Sequence, residues 1–228
     1  MKKLICTSLV LAAAVCFSGC GSRVEKQSNV NVETTAAAVT EETAVEDDTY
    51  APLATVRERN IVSAEEFDYE IYEGGAIITK YKGSDTDVVI PAEIGGAPVS
   101  EVGFYAFEAD HGLTSVALPE SVTVIGEGAF ADCQSLMSIN LPTGLKEIEV
   151  GAFAGCISLP ELTIPASVTR VQGQAFTACT GMTALTVLST ELKYEGWGLE
   201  ELPDLTVYAP EGSAAAEWAG AMGKYAVY

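Results

Sequence analysis

A repeat of fixed length constrains the fold of this 228-residue chain more than any other feature. Ala-Phe pairs end at Phe107, Phe130, Phe153 and Phe176, each 23 residues after the one before. Apolar-proline pairs and cysteines recur with the same step, at Leu118-Pro119, Leu141-Pro142 and Ile164-Pro165 and at Cys133, Cys156 and Cys179. Because three kinds of residue share one period, the chain is built from stacked units of equal length.

Each unit carries a Leu-x-x-Leu-x-Leu pattern, as in Leu136, Ile139 and Leu141. A period in the twenties with this pattern is typical of a leucine-rich repeat solenoid, in which each turn contributes a short strand that stacks on its neighbour. We therefore predict a β-rich solenoid of 23-residue repeats, with short parallel strands, short helical or 3-10 turns, and a cap at both ends. The predicted strands are Leu113–Leu118, Leu136–Leu141, Leu159–Ile164 and Met182–Val187.

The exposed ends of such a stack need caps. We predict an N-terminal cap and repeats over residues 61–188, and a last strand with a C-terminal cap over 189–228. The N-terminal cap is a hairpin turning at Gly74-Gly75. Its alternating side chains are Phe67, Tyr69 and Ile71 before the turn and Ile77, Thr79 and Tyr81 after it. The other end combines a strand at Leu205–Tyr208 with a short helix around Ser213–Ala221 that carries Trp218.

The segment from Leu113 to Cys133 resembles the BspA-type leucine-rich repeat family, as do Val89-Ile90-Pro91 and the insertion from Ile94 to Val99. The resemblance covers about residues 67–208. It implies a surface protein that binds other proteins or host matrix, and the family has no catalytic residues to carry over.

The family's glycine after the Ile/Val position is present here as Gly103 and Gly126, but Glu149 and Gln172 replace it in later repeats. Residues with a Cβ disfavour positive φ. We therefore do not expect a strictly left-handed turn at this position.

The N-terminus has the three-part order of a secretory signal. Lys2 and Lys3 precede an apolar run, and Ser18-Gly19-Cys20 follows it. Small residues before a cysteine resemble the bacterial lipoprotein signal, which implies a signal peptide over residues 1–19 and lipid attachment at Cys20. The alternative is cleavage by an ordinary signal peptidase with release of the protein. Residues 20–60 are predicted to form a disordered acidic tether.

The net charge limits the classes of partner that the chain is expected to bind. The chain has 12 basic and 32 acidic side chains, for a formal charge of −20. Because nucleic acid binding requires clustered cations, nucleic acid and anionic lipid headgroups are disfavoured as partners. A basic protein surface is the charge-matched alternative.

Several local patterns resemble nucleotide, metal or disulfide sites, but the surrounding sequence does not support those sites. Gly126 to Ala131 fits a loose dinucleotide motif but is repeat sequence. The cysteine column lacks a histidine or carboxylate, so buried reduced thiols are expected rather than a metal or disulfide site. The single histidine, His111, is expected in a solvated loop, and Asp85 and Asp87 lack the further ligands of a calcium loop. We predict no cofactor, no metal and no enzymatic activity.

Outward-facing strand positions align into one candidate ligand face. Its residues are Ser115, Ala117, Ser138, Asn140, Glu161, Thr163, Ala184 and Thr186, with Asp204 and Thr206 continuing the two columns. The alternative is that this face is only solvated and that the caps or edges bind.

The sequence as a whole favours a lipid-anchored, extracytoplasmic, surface-exposed adhesion or interaction module that binds a protein or extracellular-matrix ligand without catalysis. The alternative function is a structural or accessory envelope lipoprotein that binds a partner of the same cell.

Overall fold

The computed structural model describes residues 64–227. The predicted signal peptide, the predicted lipid attachment at Cys20 and the predicted tether lie outside the described residues. The described part begins with a 3-10 turn at Ala64–Glu66 and contains fourteen strands and one helix. The strands are β1 Phe67–Tyr72, β2 Gly75–Tyr81, β3 Asp87–Val89, β4 Glu93–Ile94, β5 Ala97–Val102, β6 Ser115–Ala117, β7 Val124–Ile125, β8 Ser138–Asn140, β9 Glu147–Ile148, β10 Glu161–Ile164, β11 Arg170–Val171, β12 Ala184–Val187, β13 Thr206–Ala209 and β14 Tyr225–Val227, and the helix is α1 Ala214–Ala221.

The repeats stack as predicted, and successive turns contribute to two kinds of sheet. One strand of each turn joins a parallel series in the order β5-β7-β9-β11, which the hairpin β1-β2 extends on one side. The other strand joins either the three-stranded sheet β3-β6-β8 or the four-stranded sheet β10-β12-β13-β14. We call the outward surface of these last two sheets the strand face. The predicted leucine-rich repeat solenoid is confirmed.

An aromatic column fills the centre of the stack. The rings of Phe130 and Phe153 lie 5.6 Å apart, those of Phe153 and Phe176 lie 5.8 Å apart, and both pairs are parallel to within 8°. Caps continue the column with other aromatic residues, because Tyr81 stacks on Phe107 and Trp197 contacts Phe176 edge-on. The 23-residue period therefore places one ring of each turn over the ring of the next.

The Ala-Phe segments form tight turns. Backbone N–H groups at Ala129, Ala131 and Cys133 donate to the carbonyl three residues earlier. This i to i−3 pattern is the hydrogen bonding of a 3-10 turn.

Positive φ occurs in these turns, but not at the family's glycine. Gly103 and Gly126 are not among the left-handed residues. Left-handed backbone recurs two residues later, at Tyr105, Gly128, Gly151 and Gln174. Glu149 replaces the glycine without strain, and its carboxylate accepts a hydrogen bond from the Glu127 N–H at 2.9 Å.

The N-terminal hairpin forms as predicted, but the side chains that it buries differ from those predicted. The register shifts between Asp68 and Tyr69, so that Tyr69 pairs with Ile78. Because this bulge skips one residue of β2, Ile78 is buried in place of the predicted Ile77. Ile71, predicted to alternate with Phe67, is exposed.

The C-terminal helix also forms as predicted. Ser213 is its N-cap, and the side-chain oxygen accepts a hydrogen bond from the Ala216 N–H. Trp218 of this helix contacts the rings of Tyr194 and Trp197. The helix thus covers the last aromatic residues of the column.

Candidate functional site

The eight predicted ligand-face residues all lie on strands β6, β8, β10 and β12, in two rows. Asp87, Ser115 and Ser138 are directly paired in one half of the first row, and Glu161, Ala184 and Thr206 in the other. The second row holds Val89, Ala117 and Asn140 in one half and Thr163, Thr186 and Tyr208 in the other. Ser138, Asn140, Glu161 and Thr163 are exposed, and the other four predicted residues are half-buried.

The prediction that Asp204 continues the first row is wrong. Asp204 lies before β13, and Thr206 rather than Asp204 pairs with Ala184. The reason is that the last turn departs from the 23-residue spacing, so the column cannot be extrapolated past β12.

The strand face is divided, whereas the sequence predicted one continuous sheet. No ladder joins β8 to β10. In neighbouring turns, Met137 donates its N–H to the Thr114 carbonyl at 2.8 Å, and Thr183 donates to the Pro160 carbonyl at 2.8 Å. Pro160 occupies the equivalent position in the turn between them and has no N–H to donate. The proline therefore interrupts the ladder at this point.

The interruption is confined to one surface. On the other sheet, β9 and β11 pair in register, with Glu147 beside Arg170. The aromatic column also passes through this turn without a gap. The solenoid is therefore continuous, and only the strand face opens.

Opening the ladder exposes core residues. Ile139 is only partly buried, whereas the equivalent side chains are buried in the other turns, at Val116, Leu162 and Leu185. Leu141 is likewise less buried than Leu118, Ile164 and Val187. A cleft of about 440 Å³ results, bordered by the exposed side chains of Met137 and Leu188. We call this opening between β8 and β10 the Pro160 cleft.

A second, smaller depression adjoins the cleft across β8. Its volume is about 220 Å³, and it lies over β3, β6 and β8. Ser115 Oγ lies 2.5 Å from Asp87 Oδ1. Asn140 is held in place by Leu118, whose N–H donates to Asn140 Oδ1 at 2.8 Å while Asn140 Nδ2 donates to the Leu118 carbonyl at 3.0 Å. The polar side chains of this depression are thus already fixed by internal hydrogen bonds.

Sequence reasoning missed Met137, Pro160 and Leu188. A signal was available in the alignment of the repeats. Pro160 stands where other turns have Thr114 and Thr183, and Leu188 stands where other turns have the proline of the apolar-proline pair. An apolar residue at an outward position was the clue to the cleft.

The cysteine column is buried and its thiols are free. Each Sγ lies within 3.0–3.2 Å of a phenylalanine carbonyl oxygen in the preceding turn. Burial raises the pKa of Cys133 and of Cys179 to about 12, and it raises the pKa of Cys156 as well. These thiols are protonated at neutral pH and fill the core.

A separate group of charged side chains lies away from the cleft. Glu101 is on the other sheet, where desolvation and the nearby carboxylates of Glu149 and Glu147 raise its pKa. Arg170 Nη1 lies 3.0 Å from Glu147 Oε1 and forms an ion pair with it. Among residues 64–227, no group of three or more side chains could hold a metal ion. The described part of the chain also has no helix with the length and apolar content needed to cross a bilayer.

Stacked turns with short parallel strands, an internal aromatic column and an outward row of small polar side chains define a leucine-rich repeat protein. The chain belongs to the BspA-type leucine-rich repeat family. The model of the BspA type leucine rich repeat region matches residues 100–197 in six copies.

Solved structures agree with this assignment. A leucine-rich repeat protein from T. pallidum is 36% identical, with a TM-score of 0.62 over 66% of this chain and 72% of that chain. A leucine-rich repeat protein from Bacteroides capillosus is 34% identical, with a TM-score of 0.50 over 55% of this chain and 96% of that one. A leucine rich cell surface protein from Faecalibacterium prausnitzii is 27% identical, with a TM-score of 0.54, over 66% of this chain and 39% of that chain. The curated proteins contain no significant match to this chain.

Proposed function

We propose that this chain is a lipid-anchored, extracytoplasmic interaction protein that binds a protein ligand on its strand face and catalyses no reaction. The resemblance of Ser18-Gly19-Cys20 to a bacterial lipoprotein signal supports the anchor. Membership of the BspA-type family and similarity to a leucine rich cell surface protein support the location.

One observation carries the binding proposal. The strand face has two adjoining depressions, of about 220 and 440 Å³, where most predicted face residues meet. Short side chains such as Ser138 and Thr163 leave room for the side chains of a second protein. The polar rows surround the apolar lining of the cleft, which is the arrangement of a protein interface with an apolar centre and a polar rim.

Charge indicates the chemistry of the ligand. Residues 61–228 hold 24 acidic and six basic side chains, a formal charge of −18. Such a field favours encounter with basic surfaces and disfavours polyanions. The charge therefore favours a protein with a basic contact surface as the ligand and disfavours nucleic acid.

Chemistry at the strand face supports binding without catalysis. Ser115 Oγ lies beside the Asp87 carboxylate, but the only histidine of the sequence, His111, lies in the loop between β5 and β6. A serine nucleophile needs a base within hydrogen-bond reach. Protonated, buried cysteines supply no thiolate either.

Proximity labelling on intact cells, with a labelling enzyme fused to the C-terminus of the full chain, tests the anchor and the location together. Wild type is expected in the detergent-extracted membrane fraction, and it should label envelope proteins and a reproducible protein ligand. The Cys20→Ala variant should move to the medium or the soluble extracytoplasmic fraction, because it lacks the acyl chains that bury in the bilayer.

Two results would contradict the proposal. Equal partition of the two forms would refute lipid anchoring, and labelling of cytoplasmic proteins by both would refute the extracytoplasmic location. The origin of the labelled ligand separates the two functions that the sequence favours. Matrix or host proteins indicate adhesion, and proteins of the same envelope indicate the accessory role.

A further inference from the structure

We infer that the Pro160 cleft is the specificity site of the strand face, and that it takes one apolar side chain of an extended, lysine- or arginine-rich peptide segment. The inference deepens the proposed function and rests on it. Its first support is that the cleft is open to the inward column of the solenoid. Ile139 and Leu141 are partly exposed only where the ladder is interrupted, and the apolar surfaces of both face the cleft.

The mouth of the cleft is apolar as well. Met137 is 59% exposed and Leu188 is 37% exposed, and both line the opening. Exposed apolar side chains beside a concave opening are a frequent feature of binding sites. An inserted leucine- or methionine-sized side chain would bury the surface that the interrupted ladder leaves open to water.

The rim of the cleft indicates which ligand residues flank that apolar side chain. Glu161 is an exposed carboxylate on the β10 side of the cleft. Across the cleft, Thr143 also lines the opening, and its N–H and hydroxyl both donate to Glu120, at 3.1 and 2.9 Å. Carboxylates thus lie on both sides of the cleft, with Glu161 on β10 and Glu120, bound to Thr143, in the loop after β6, and the cleft lining contains no basic residue. Cationic residues flanking the apolar side chain match this charge.

A peptide fits the opening better than an acyl chain. Strands β8 and β10 face each other across the cleft without a ladder between them. Unpaired strand edges favour ligands that carry backbone N–H and C=O groups. Ser138 and Thr163 add hydroxyl groups to the rim, and an acyl chain would cover these hydroxyls without offering them a hydrogen-bond partner.

The test uses the full chain in phosphatidylcholine nanodiscs and a short synthetic peptide, in which one leucine is flanked on each side by alternating threonine and lysine. Binding is followed by the methyl signals of Met137, Ile139 and Leu188. We expect saturable shifts of all three. Peptides with serine in place of the leucine, or with glutamate in place of the lysines, should bind at least about tenfold more weakly.

Pro160→Thr provides the matched variant, because Thr occupies the equivalent position in two other turns, at Thr114 and Thr183. Its restored N–H can reach the Met137 carbonyl and close the ladder, so peptide affinity should fall at least about tenfold while the denaturation midpoint is kept or raised. Leu188→Ser, which does not alter the ladder, should also weaken binding. Ile157→Ser removes an equally exposed apolar side chain outside the cleft and should leave the affinity unchanged.

Unchanged affinity in both Pro160→Thr and Leu188→Ser overturns the inference, as does equal binding of the glutamate peptide. If decanoate shifts the same three methyl signals and displaces the peptide, the site takes acyl chains and the inference is also wrong. None of these outcomes depends on anchoring at Cys20. Failure of the cleft with successful labelling at the cell surface therefore refutes this inference and leaves the proposed function standing.

Discussion

Phe153 and Thr163 represent the two environments that a residue of this solenoid can occupy. The Phe153 ring lies between two parallel rings of the adjacent turns and is fully buried. Thr163, ten positions later, is exposed on the strand face. A single 23-residue unit therefore alternates between residues that hold the stack together and residues that are free to contact a ligand.

Phe153→Ala is expected to destabilise the protein by about 3–5 kcal/mol, because it removes a ring from the middle of the column and leaves a cavity. Thr163→Ala should change the free energy of unfolding by less than about 0.5 kcal/mol. Denaturant unfolding followed by tryptophan fluorescence measures both. Similar midpoints for the two variants would contradict the assignment of inward and outward positions.

At the scale of elements, the Ala-Phe turns depend on left-handed backbone. Gly151 has a φ of +62°, and a Cβ built there would meet only the Ala154 Cβ, at 3.9 Å. Space is therefore available, and the preference for glycine over alanine at this position is conformational. Gly144 provides a contrast, since it lacks a positive φ and its added Cβ would make an ordinary contact with the Glu120 carbonyl at 3.4 Å.

Gly151→Ala should therefore lower the free energy of unfolding by about 1–2 kcal/mol, the cost of placing an L-residue in the left-handed region. Gly144→Ala should stay within about 0.5 kcal/mol of wild type. Chemical denaturation of the two variants side by side makes the comparison. A loss at Gly144 as large as that at Gly151 would show that space rather than backbone conformation limits these turns.

Elements differ in how far the sequence predicts them. The residues that recur with the 23-residue period, such as Phe130, Cys133 and Leu136, predict the solenoid, because units of constant length stack in only one way. The alternation of apolar residues did not predict which side chains of the N-terminal hairpin are buried, because a bulge between Asp68 and Tyr69 changes the strand register. Such a bulge depends on how the hairpin packs on the first repeat, which no local pattern encodes.

The candidate site shows the same limit. Outward positions such as Ser138 and Thr163 follow from the strand pattern. The division of the face follows from one missing N–H at Pro160, and its consequence is visible only when the burial of Ile139 is compared between turns. The shared pattern of the repeats does not reveal the one turn that departs from it, and in this chain that departure opens the Pro160 cleft.

At the scale of the whole molecule, the stack gives the protein two unlike surfaces. The sheet that runs from β1 to β11 is continuous and carries Glu101, Glu147 and Arg170. The strand face is divided and has the Pro160 cleft at the division. In the proposed function, the acidic charge of the folded part favours encounter with basic proteins in general, and the cleft supplies the local selectivity.

The affinity of the labelled ligand for the full chain tests most directly whether the strand face is the binding surface. Thr163→Arg places a long cationic side chain in the Pro160 cleft, whereas Thr180→Arg places the same side chain at an exposed position in the loop after Cys179. If the strand face is the binding surface, Thr163→Arg raises Kd at least about tenfold while Thr180→Arg leaves it unchanged. Equal Kd values for wild type and Thr163→Arg would contradict the account and would place binding on the caps or edges instead.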